Sequence, residues 1–580
     1  MSQKLNHHQE RAVRSVGHST ILACPGSGKT RVLSARAARL LTENTTGRLC
    51  AVTFTRDAAA SLKLRILEAC GKEVANRLAV GTFHSIALNQ LRRAGMVTNR
   101  LLGDGERLAL LRRCYLQHKC DLPFEKIVSA IDGAKASVSP KLFADSAIED
   151  VYAAYQDALA AEDSMDFSDI LLLATRGMAK KTIHPLSVRW LLVDEAQDMD
   201  AVQCEWVMLH GKSGVEVTIV GDDDQSLYAF RHAMGYSGMM LVSETLSSQE
   251  ITLPINYRCA SNIIAHASAL ISLNQNRANK AIHAARGNTG IIGLHRASDR
   301  NHEAEIICNA IEMSGNPTGW AVLARSNTLL ESIEAKLAKS QIPYSISGGK
   351  SVWDGVVGSA LVGLIRNIER DDLTGLANAL SVCKIQPHLL NHSADSKKNC
   401  TQLLDYILSQ TSENDERTRK IIVGLKKGRI DWLGQAKNGQ VTLAIYAAAG
   451  WLRDSIERKL PKKTPLNSNG KMIGDLAVAL SKLNGSVAQR LNVIMRKFGD
   501  KTSGGVSLLT MHSSKGLEFD NVWILGAEDN TIPHPDSTEE DERRLFYVAM
   551  TRARDRLEIS SSIEDGLFTR FVDEARLQCN

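Results

Sequence analysis

The chain is predicted to be an α/β protein built on parallel sheets, and three features lead to that class. A glycine-rich turn, Ala23-Cys24-Pro25-Gly26-Ser27-Gly28-Lys29-Thr30, joins the apolar pair Ile21-Leu22 to a helix-like stretch from Arg31 to Leu41. Further short apolar runs, Leu49-Cys50-Ala51-Val52, Trp190-Leu191-Leu192-Val193 and Val217-Thr218-Ile219-Val220, each end in polar or acidic residues. Runs without alternation fit strands covered on both faces, as parallel strands are when helices connect them. Finally, 580 residues is several times the usual domain size, so more than one core is expected.

The first turn has chemistry of its own. Gly lets successive backbone N–H groups converge on one point, and the following helix adds its positive dipole end, so the loop can cradle a polyphosphate. Lys29 would reach the β- and γ-phosphates, and the Thr30 hydroxyl would bind Mg²⁺. Ala23 stands where the common phosphate-loop pattern has Gly, so the match is to its second half.

Composition narrows the class. Lys and Arg number 70 against 64 acids, a formal charge of +6 that permits a nucleic-acid partner without requiring one. The eleven cysteines show no Cys-x-x-Cys pair, which argues against zinc and iron–sulfur sites and for core packing in a reducing compartment. No stretch nears the ~18 apolar residues of a membrane span, and the polar start has no signal-peptide apolar region. A cytoplasmic protein with no membrane partner is expected.

Ahead of the phosphate loop, Gln9 offers the donor and acceptor that an adenine edge presents, though a solvated helix start explains its position as simply. Phe54 closes the second strand, and Gly81-Thr82-Phe83-His84-Ser85 could hold nucleic-acid phosphates through hydroxyls. Core packing is the ordinary role of rings such as Phe54 and Phe83. From about Ile86 to Lys181 the pattern is helical, ending in Met165-Asp166-Phe167-Ser168-Asp169, whose acids most simply cap the next helix.

Asp194-Glu195-Ala196-Gln197-Asp198 follows a buried strand and is the strongest companion of the phosphate loop. Asp194 can hold the Mg²⁺ shell while Glu195 orients and deprotonates an attacking water, so hydrolysis is favoured over binding alone. After the next strand, Gln225 can sense a γ-phosphate, and Tyr228, Phe230 and Arg231 suit base stacking and phosphate contact. In Leu253-Pro254-Ile255-Asn256-Tyr257-Arg258, Tyr257 can stack on a base and Arg258 can neutralise transferring phosphate.

With two further blocks, Leu509-Thr510-Met511-His512-Ser513-Ser514-Lys515-Gly516-Leu517-Glu518-Phe519-Asp520 and Glu542-Arg543-Arg544-Leu545-Phe546-Tyr547-Val548-Ala549-Met550-Thr551-Arg552-Ala553, the order of motifs resembles the UvrD/Rep/PcrA-type superfamily 1 DNA helicases over nearly the whole chain. The resemblance implies two RecA-like P-loop domains, each interrupted by a mainly helical insertion. Residues 1–85 and 185–258 would form the first, with 86–184 inserted; 259–350 and 502–580 the second, with 351–501 inserted. It also implies ATP with Mg²⁺ in the cleft between the two, and single-stranded DNA or a single-strand/duplex junction across their tops.

Roles carry over where residues match. Ala23 to Arg31 would bind ATP, with Thr30 and Asp194 on the metal, Gln9 reading adenine and Tyr257 stacking on it. Lys29, Glu195, Gln225, Arg258, Glu518 and Arg552 fall at triphosphate-contacting positions, Arg552 as an arginine finger. Phe54, Thr82, Phe83, His84, Tyr228, Phe230, Arg231 and His512 fall in DNA-facing motifs. Asp57 departs from the usual Lys, His232 from Gly and Phe230 from Trp.

The strands Trp320-Ala321-Val322-Leu323-Ala324 and Val522-Trp523-Ile524-Leu525 belong to the second domain. Its insert carries two basic stretches, one from Arg417 to Arg429 and one with Lys459, Lys462, Lys463 and Lys471, with a loop around Pro461, Pro465 and Asn467 to Gly470. They read equally as a surface for duplex phosphate or as a solvated face.

The expected activity is an ATP-dependent helicase moving 3′ to 5′, the direction being implied by the resemblance alone. A small-molecule kinase would have no use for Glu195, Gln225 and a distant Arg552 together. The remaining alternative is a DNA-dependent ATPase that serves as a switch beside a separate nuclease or repair protein. Few residues follow Arg552, so a nuclease is expected on another chain.

Overall fold

The structure, a computed structural model, describes residues 4–96, 100–118, 120–139, 143, 145–347, 351–390, 399–457, 468–497 and 504–578. The chain divides into two compact units, residues 1–264 with 271–287 and residues 265–270 with 288–580. The segment 271–287 therefore packs with the first unit, beyond the sequence-based boundary at 258.

In the first unit, strands β1 (Ser19–Ala23), β2 (Leu49–Thr53), β3 (Leu78–Thr82), β4 (Trp190–Val193), β5 (Glu216–Gly221) and β6 (Gln249–Leu253) form one sheet in the order β3-β2-β4-β5-β1-β6. Every pairing is parallel. Successive residues of a strand point to opposite faces, so the unbroken apolar runs feed two cores. Ile21, Ala23 and Leu192 pack with helices α1 (His7–Arg14), α2 (Lys29–Glu43) and α3 (Arg56–Cys70). Leu22, Leu191 and Val193 pack with Phe83, Ile170 and Trp206 on the other side.

The helical insertion has its own small core, from Leu102 to Leu159, between helices Asp104–Gln117, Phe124–Lys135 and Ser146–Ala161. It is narrower than residues 86–184. Helices Phe83–Arg93 and Phe167–Ala179 bury Ile86, Leu91, Ile170 and Leu171 against the sheet instead. A helical period shows that a face is buried, but not in which core. At the insertion's neck, Asp166 and Asp169 cap helix Phe167–Ala179 reciprocally, as expected. Lys135 Nζ lies 2.6 Å from Asp166 and 2.8 Å from Asp169, all three buried.

In the second unit, β7 (Ile291–Ala297), β8 (Trp320–Ala324), β9 (Tyr344–Ser347), β10 (Val506–Thr510), β11 (Phe519–Leu525) and β12 (Ala553–Ser562) form a second parallel sheet, in the order β7-β12-β11-β8-β10-β9. Trp320, Val322 and Trp523 pack there on Ile307, Ile333 and Leu337. Between β9 and β10 the chain is helical around a separate core that includes Leu361, Leu404, Ile421, Leu452 and Leu476.

Part of the basic charge of that insert is paired. Lys426 pairs with Asp405, Arg429 with Asp371 and Lys420 with Glu416, while Arg417 donates to the Cys383 carbonyl at 2.9 Å. Lys471 pairs with Asp299 at 2.9 Å. Lys459, Lys462, Lys463, Pro461, Pro465 and Asn467 lie outside the described residues. Ser468 to Gly470 open a helix, Ser468–Ser481, where a loop was expected. Among the described residues, no helix is long and apolar enough to cross a membrane.

These ion pairs differ in what they contribute. Removing one partner of a buried pair strands the other charge, at about 3–5 kcal/mol, whereas an exposed i,i+4 pair is screened by water. Lys135→Met is therefore expected to lower the thermal unfolding midpoint clearly, and Lys420→Ala to leave it unchanged. Differential scanning calorimetry of both variants beside the parent checks the contrast.

Candidate active site

The carboxyl end of the first sheet gathers the chemistry. β1 ends at Ala23, and the loop that follows turns through Gly26 and Gly28, both left-handed at φ +62° and +81°. A Cβ on Gly26 would lie 2.6 Å from the Cβ of Arg258, so only glycine lets the loop run this close to the bend at Arg258. Ser27 Oγ donates to the Cys24 carbonyl at 2.7 Å and holds the turn shut. Helix α2 starts at Lys29, and its N-cap, Gly28, brings no side-chain acceptor to the first turn. Its N–H groups and positive dipole end thus suit an anion, and the donor set fits a bound polyphosphate. Thr30 and Arg31 stand half-buried in that first turn. Burial pushes the Cys24 thiol up to about 12, so it stays protonated and acts as packing.

On the neighbouring strand ends, Lys29 Nζ lies 3.7 Å from Glu195 Oε2. Glu195 itself is left-handed at φ 53°, an uncommon state for a side chain of its size and one concentrated at functional sites. Its backbone N–H donates to Asp194 Oδ1 at 3.0 Å. Burial, and after it the adjacent Glu195, push the Asp194 carboxyl up to about 7. A buried carboxylate under that pressure is a fitting ligand for a divalent cation, whose charge would hold it ionised.

Gln197, quoted in the sequence motif without a role, proves central. Its Nε2 donates to Glu195 Oε2 at 2.7 Å and its Oε1 accepts from the Asp222 N–H at 3.0 Å. Asp222 Oδ2 in turn accepts from the Gln225 amide at 2.6 Å. One continuous path thus runs from Lys29 through Glu195, Gln197 and Asp222 to Gln225. Lys280 was not anticipated at all. Its ammonium, buried with the carboxylates of Asp222, Asp223 and Asp224, fills the place that a cation would take among them.

The expected adenine contacts meet beside the same loop. Gln9 is buried, closes a capping box with Asn6, and donates from Nε2 to the Ser27 carbonyl at 2.9 Å. Tyr257 is 39% exposed, its hydroxyl accepts from Asn6 Nδ2 at 2.6 Å, and its N–H donates to the Gly26 carbonyl. Asn256, also missed as a functional residue, ties the short strand Ile255–Asn256 to the loop through Nδ2 to the Pro25 carbonyl at 2.7 Å.

The aromatic residues separate by exposure. Phe230 is 66% exposed, and the Arg231 guanidinium lies 5.6 Å from its ring centroid and 5.8 Å from that of half-buried Tyr228. That corner offers a face and a charge to a nucleic acid. Phe83 is corrected: at 1% exposure it packs edge-on to Phe54 and Trp206, so its ring has no face left for a base. Phe54 is half-buried. Thr82 caps helix Phe83–Arg93 by accepting from the Ser85 N–H, which leaves its own O–H to donate. His84 stacks on the half-exposed ring of Phe167 at 4.0 Å, an aromatic the sequence reading did not select. Burial lowers His84 to about 4, so it is neutral and could offer a phosphate a hydrogen bond but no charge.

The second unit carries the remaining positions. Arg552 is 1% exposed, and its guanidinium donates to the Val548 and Leu517 carbonyls and to the Thr551 hydroxyl. Glu518 pairs with Arg554. His512 opens a short 3₁₀ turn, and burial followed by Arg325 lowers it to about 4.

Comparison with known proteins accords with these motifs. A model of the UvrD/REP helicase N-terminal domain matches residues 5–237, and one of the UvrD-like helicase C-terminal domain matches residues 251–564. Similar proteins include the ATP-dependent DNA helicase Rep of Escherichia coli K12, 28% identical over 96% of this chain and 90% of that protein. DNA helicase II of Haemophilus influenzae is 28% identical over 99% and 87%, and the ATP-dependent DNA helicase PcrA of Staphylococcus epidermidis 28% over 98% and 84%. With two parallel-sheet domains, a phosphate loop at the end of the first strand and family models matching most of its length, the chain belongs to the UvrD/Rep helicase family.

Proposed function

We propose that this protein is an ATP-dependent DNA helicase that moves along single-stranded DNA, 3′ to 5′, and opens duplex at single-strand/duplex junctions. The observation that carries the reading is the unbroken path from Lys29 through Glu195, Gln197 and Asp222 to Gln225 beside the phosphate loop. The names of the relatives support it, and no observation favours an ATP switch with a separate nuclease. A cytoplasmic site of action fits described cysteines that form no disulfides. The four-part division read from the sequence is carried into the proposal with residues 259–264 and 271–287 added to the first sheet domain and with the first insertion confined to the helices around the core from Leu102 to Leu159.

Each residue has a task. Lys29 and the helix start bind the β- and γ-phosphates, while Gln9 and Tyr257 hold the base. Glu195 accepts a proton from the attacking water, its carboxylate oriented by Gln197. Gln225 reports the γ-phosphate. Arg258 and Arg552 stabilise charge on the transferring group, with Glu518 a further nucleotide contact. Thr30 and Asp194 would hold Mg²⁺, which neutralises phosphate charge when bound. Phe54, Tyr228 and Phe230 stack on bases, and Thr82, His84, Arg231 and His512 contact the strand.

Lys29→Ala and Glu195→Gln separate binding from turnover. Lys29→Ala is expected to fold normally and to lose about 10²-fold or more in kcat. Glu195→Gln keeps size and polarity but cannot accept a proton, so nucleotide affinity persists while kcat falls by about 10²–10⁴. Steady-state ATPase rates beside binding of a fluorescent ATP analogue check both. Normal turnover in either folded variant overturns the role assigned to that residue.

Phe230→Ala tests the strand contact. Because the ring is mostly exposed, melting should not change, while loss of one stacked base should weaken single-stranded DNA binding by ~1–3 kcal/mol, about 5- to 150-fold. ATPase without DNA persists, and its stimulation by DNA falls along with unwinding. DNA binding and unwinding at parent levels would remove Phe230 from the proposed interface.

A further inference from the structure

The Lys280 ammonium has three N–H donors, and three acceptors lie within 2.9 Å of it. It is 2.9 Å from the carbonyl of Ala23, 2.7 Å from Asp222 Oδ1 and 2.6 Å from Asp223 Oδ1. Asp224 Oδ2 stands 3.1 Å away and is also held by the Arg277 guanidinium. These acceptors come from two strand ends: Ala23 is the last residue of β1, where the phosphate loop begins, and the three aspartates follow β5.

Stability alone does not call for such a cluster, since buried ion networks are often replaceable by apolar packing at no loss. What the ammonium supplies is a fixed distance. Asp222 uses one carboxylate oxygen for Lys280, the other for the Gln225 amide, and its N–H for Gln197, which reaches Glu195. Lys280 links the Asp222 carboxylate directly to the Ala23 carbonyl, at the root of the loop that would carry the triphosphate.

We infer that Lys280 is a positioning residue for ATP hydrolysis, tying the root of the phosphate loop to the Asp222 carboxylate so that Gln225 is held at a set distance from the loop. This rests on the reading of Gln225 as the γ-phosphate sensor. Burial by itself would lower the Lys280 pKa, but Asp222, Asp224 and Asp223 raise it well above the ordinary lysine value, so the tether stays charged. Arg is no substitute, because its planar fork cannot converge three donors on one point.

The test is a double-mutant cycle on kcat with Lys280→Arg and Gln225→Ala. Lys280→Arg retains the charge, so melting and affinity for a fluorescent ATP analogue should stay near the parent's. A misplacement near 1 Å can cost ~10²-fold, so kcat is expected to fall at least about tenfold. If Lys280 acts through Gln225, the double variant should be no slower than Gln225→Ala alone, within about threefold. Losses that multiply, or a Lys280→Arg kcat at the parent level while Gln225→Ala is impaired, overturn the positioning role. A parent-like Gln225→Ala overturns the sensor reading and this one with it. Should Lys280→Arg fail to fold, Lys280→Met combined with Asp223→Asn restores the charge balance without the tether. Recovery of kcat together with melting in that variant overturns the inference; recovery of melting alone upholds it.

Discussion

Carboxylates buried at the ends of parallel strands need positive partners, and the first unit is arranged around meeting that need. Asp194, Asp222, Asp223 and Asp224 are all nearly inaccessible, where an uncompensated charge is strongly disfavoured. Lys280 and Arg277 answer the aspartate run from within the protein. Asp194 and Glu195 have Lys29, at 3.7 Å from Glu195, as a looser partner. One acidic group is thus settled by the fold, while Asp194 retains an elevated pKa suited to an external cation. The difference separates a scaffold from the proposed reaction site, built after adjacent strands of one sheet.

The same rule operates in the second unit, with a structural result. Arg300 spans Glu303 and Glu528, both fully buried, and Arg325 grips Glu542 through several hydrogen bonds. These acids are satisfied in place. Arg552 is likewise engaged by carbonyls and a hydroxyl of its own unit, so a catalytic role requires its guanidinium to exchange those acceptors for phosphate oxygens. The helical insert follows the rule at its surface, where Lys420, Lys426 and Arg429 are each paired with an acid.

Aromatic residues show where linear reading stops. Phe54, Phe83, Tyr228 and Phe230 all occur in motifs that face DNA by resemblance, yet their exposures range from 1% for Phe83 to 66% for Phe230. A phenyl ring is equally at home in a core and in a stacking site. What decides is the neighbourhood: Phe83 opens a helix laid on the sheet beside Trp206, whereas Phe230 lies in a 3₁₀ turn that projects next to Arg231. Phe167 shows the converse, a ring ending half-exposed and stacked on His84 where the sequence showed only a helix start.

The sequence by itself determined the strand–loop–helix at Ala23 to Thr30, the acids after β4, the amide after β5 and the parallel-sheet class. Each of these depends on local pattern: glycines that accept positive φ, unbroken apolar runs, and polar residues at fixed offsets from them. Only the tertiary structure decided which groups meet. Gln197 and Asn256 were visible inside their motifs, but their partners, Asp222 and the Pro25 carbonyl, lie in loops that follow other strands. Lys280 had no local signal, because its acceptors are 56 to 257 residues away along the chain and come together only when segment 271–287 folds back onto the first sheet. Hydrogen-bond geometry acts over a few ångströms of space irrespective of distance along the chain, so a lysine reads as solvated until the fold surrounds it with carboxylates.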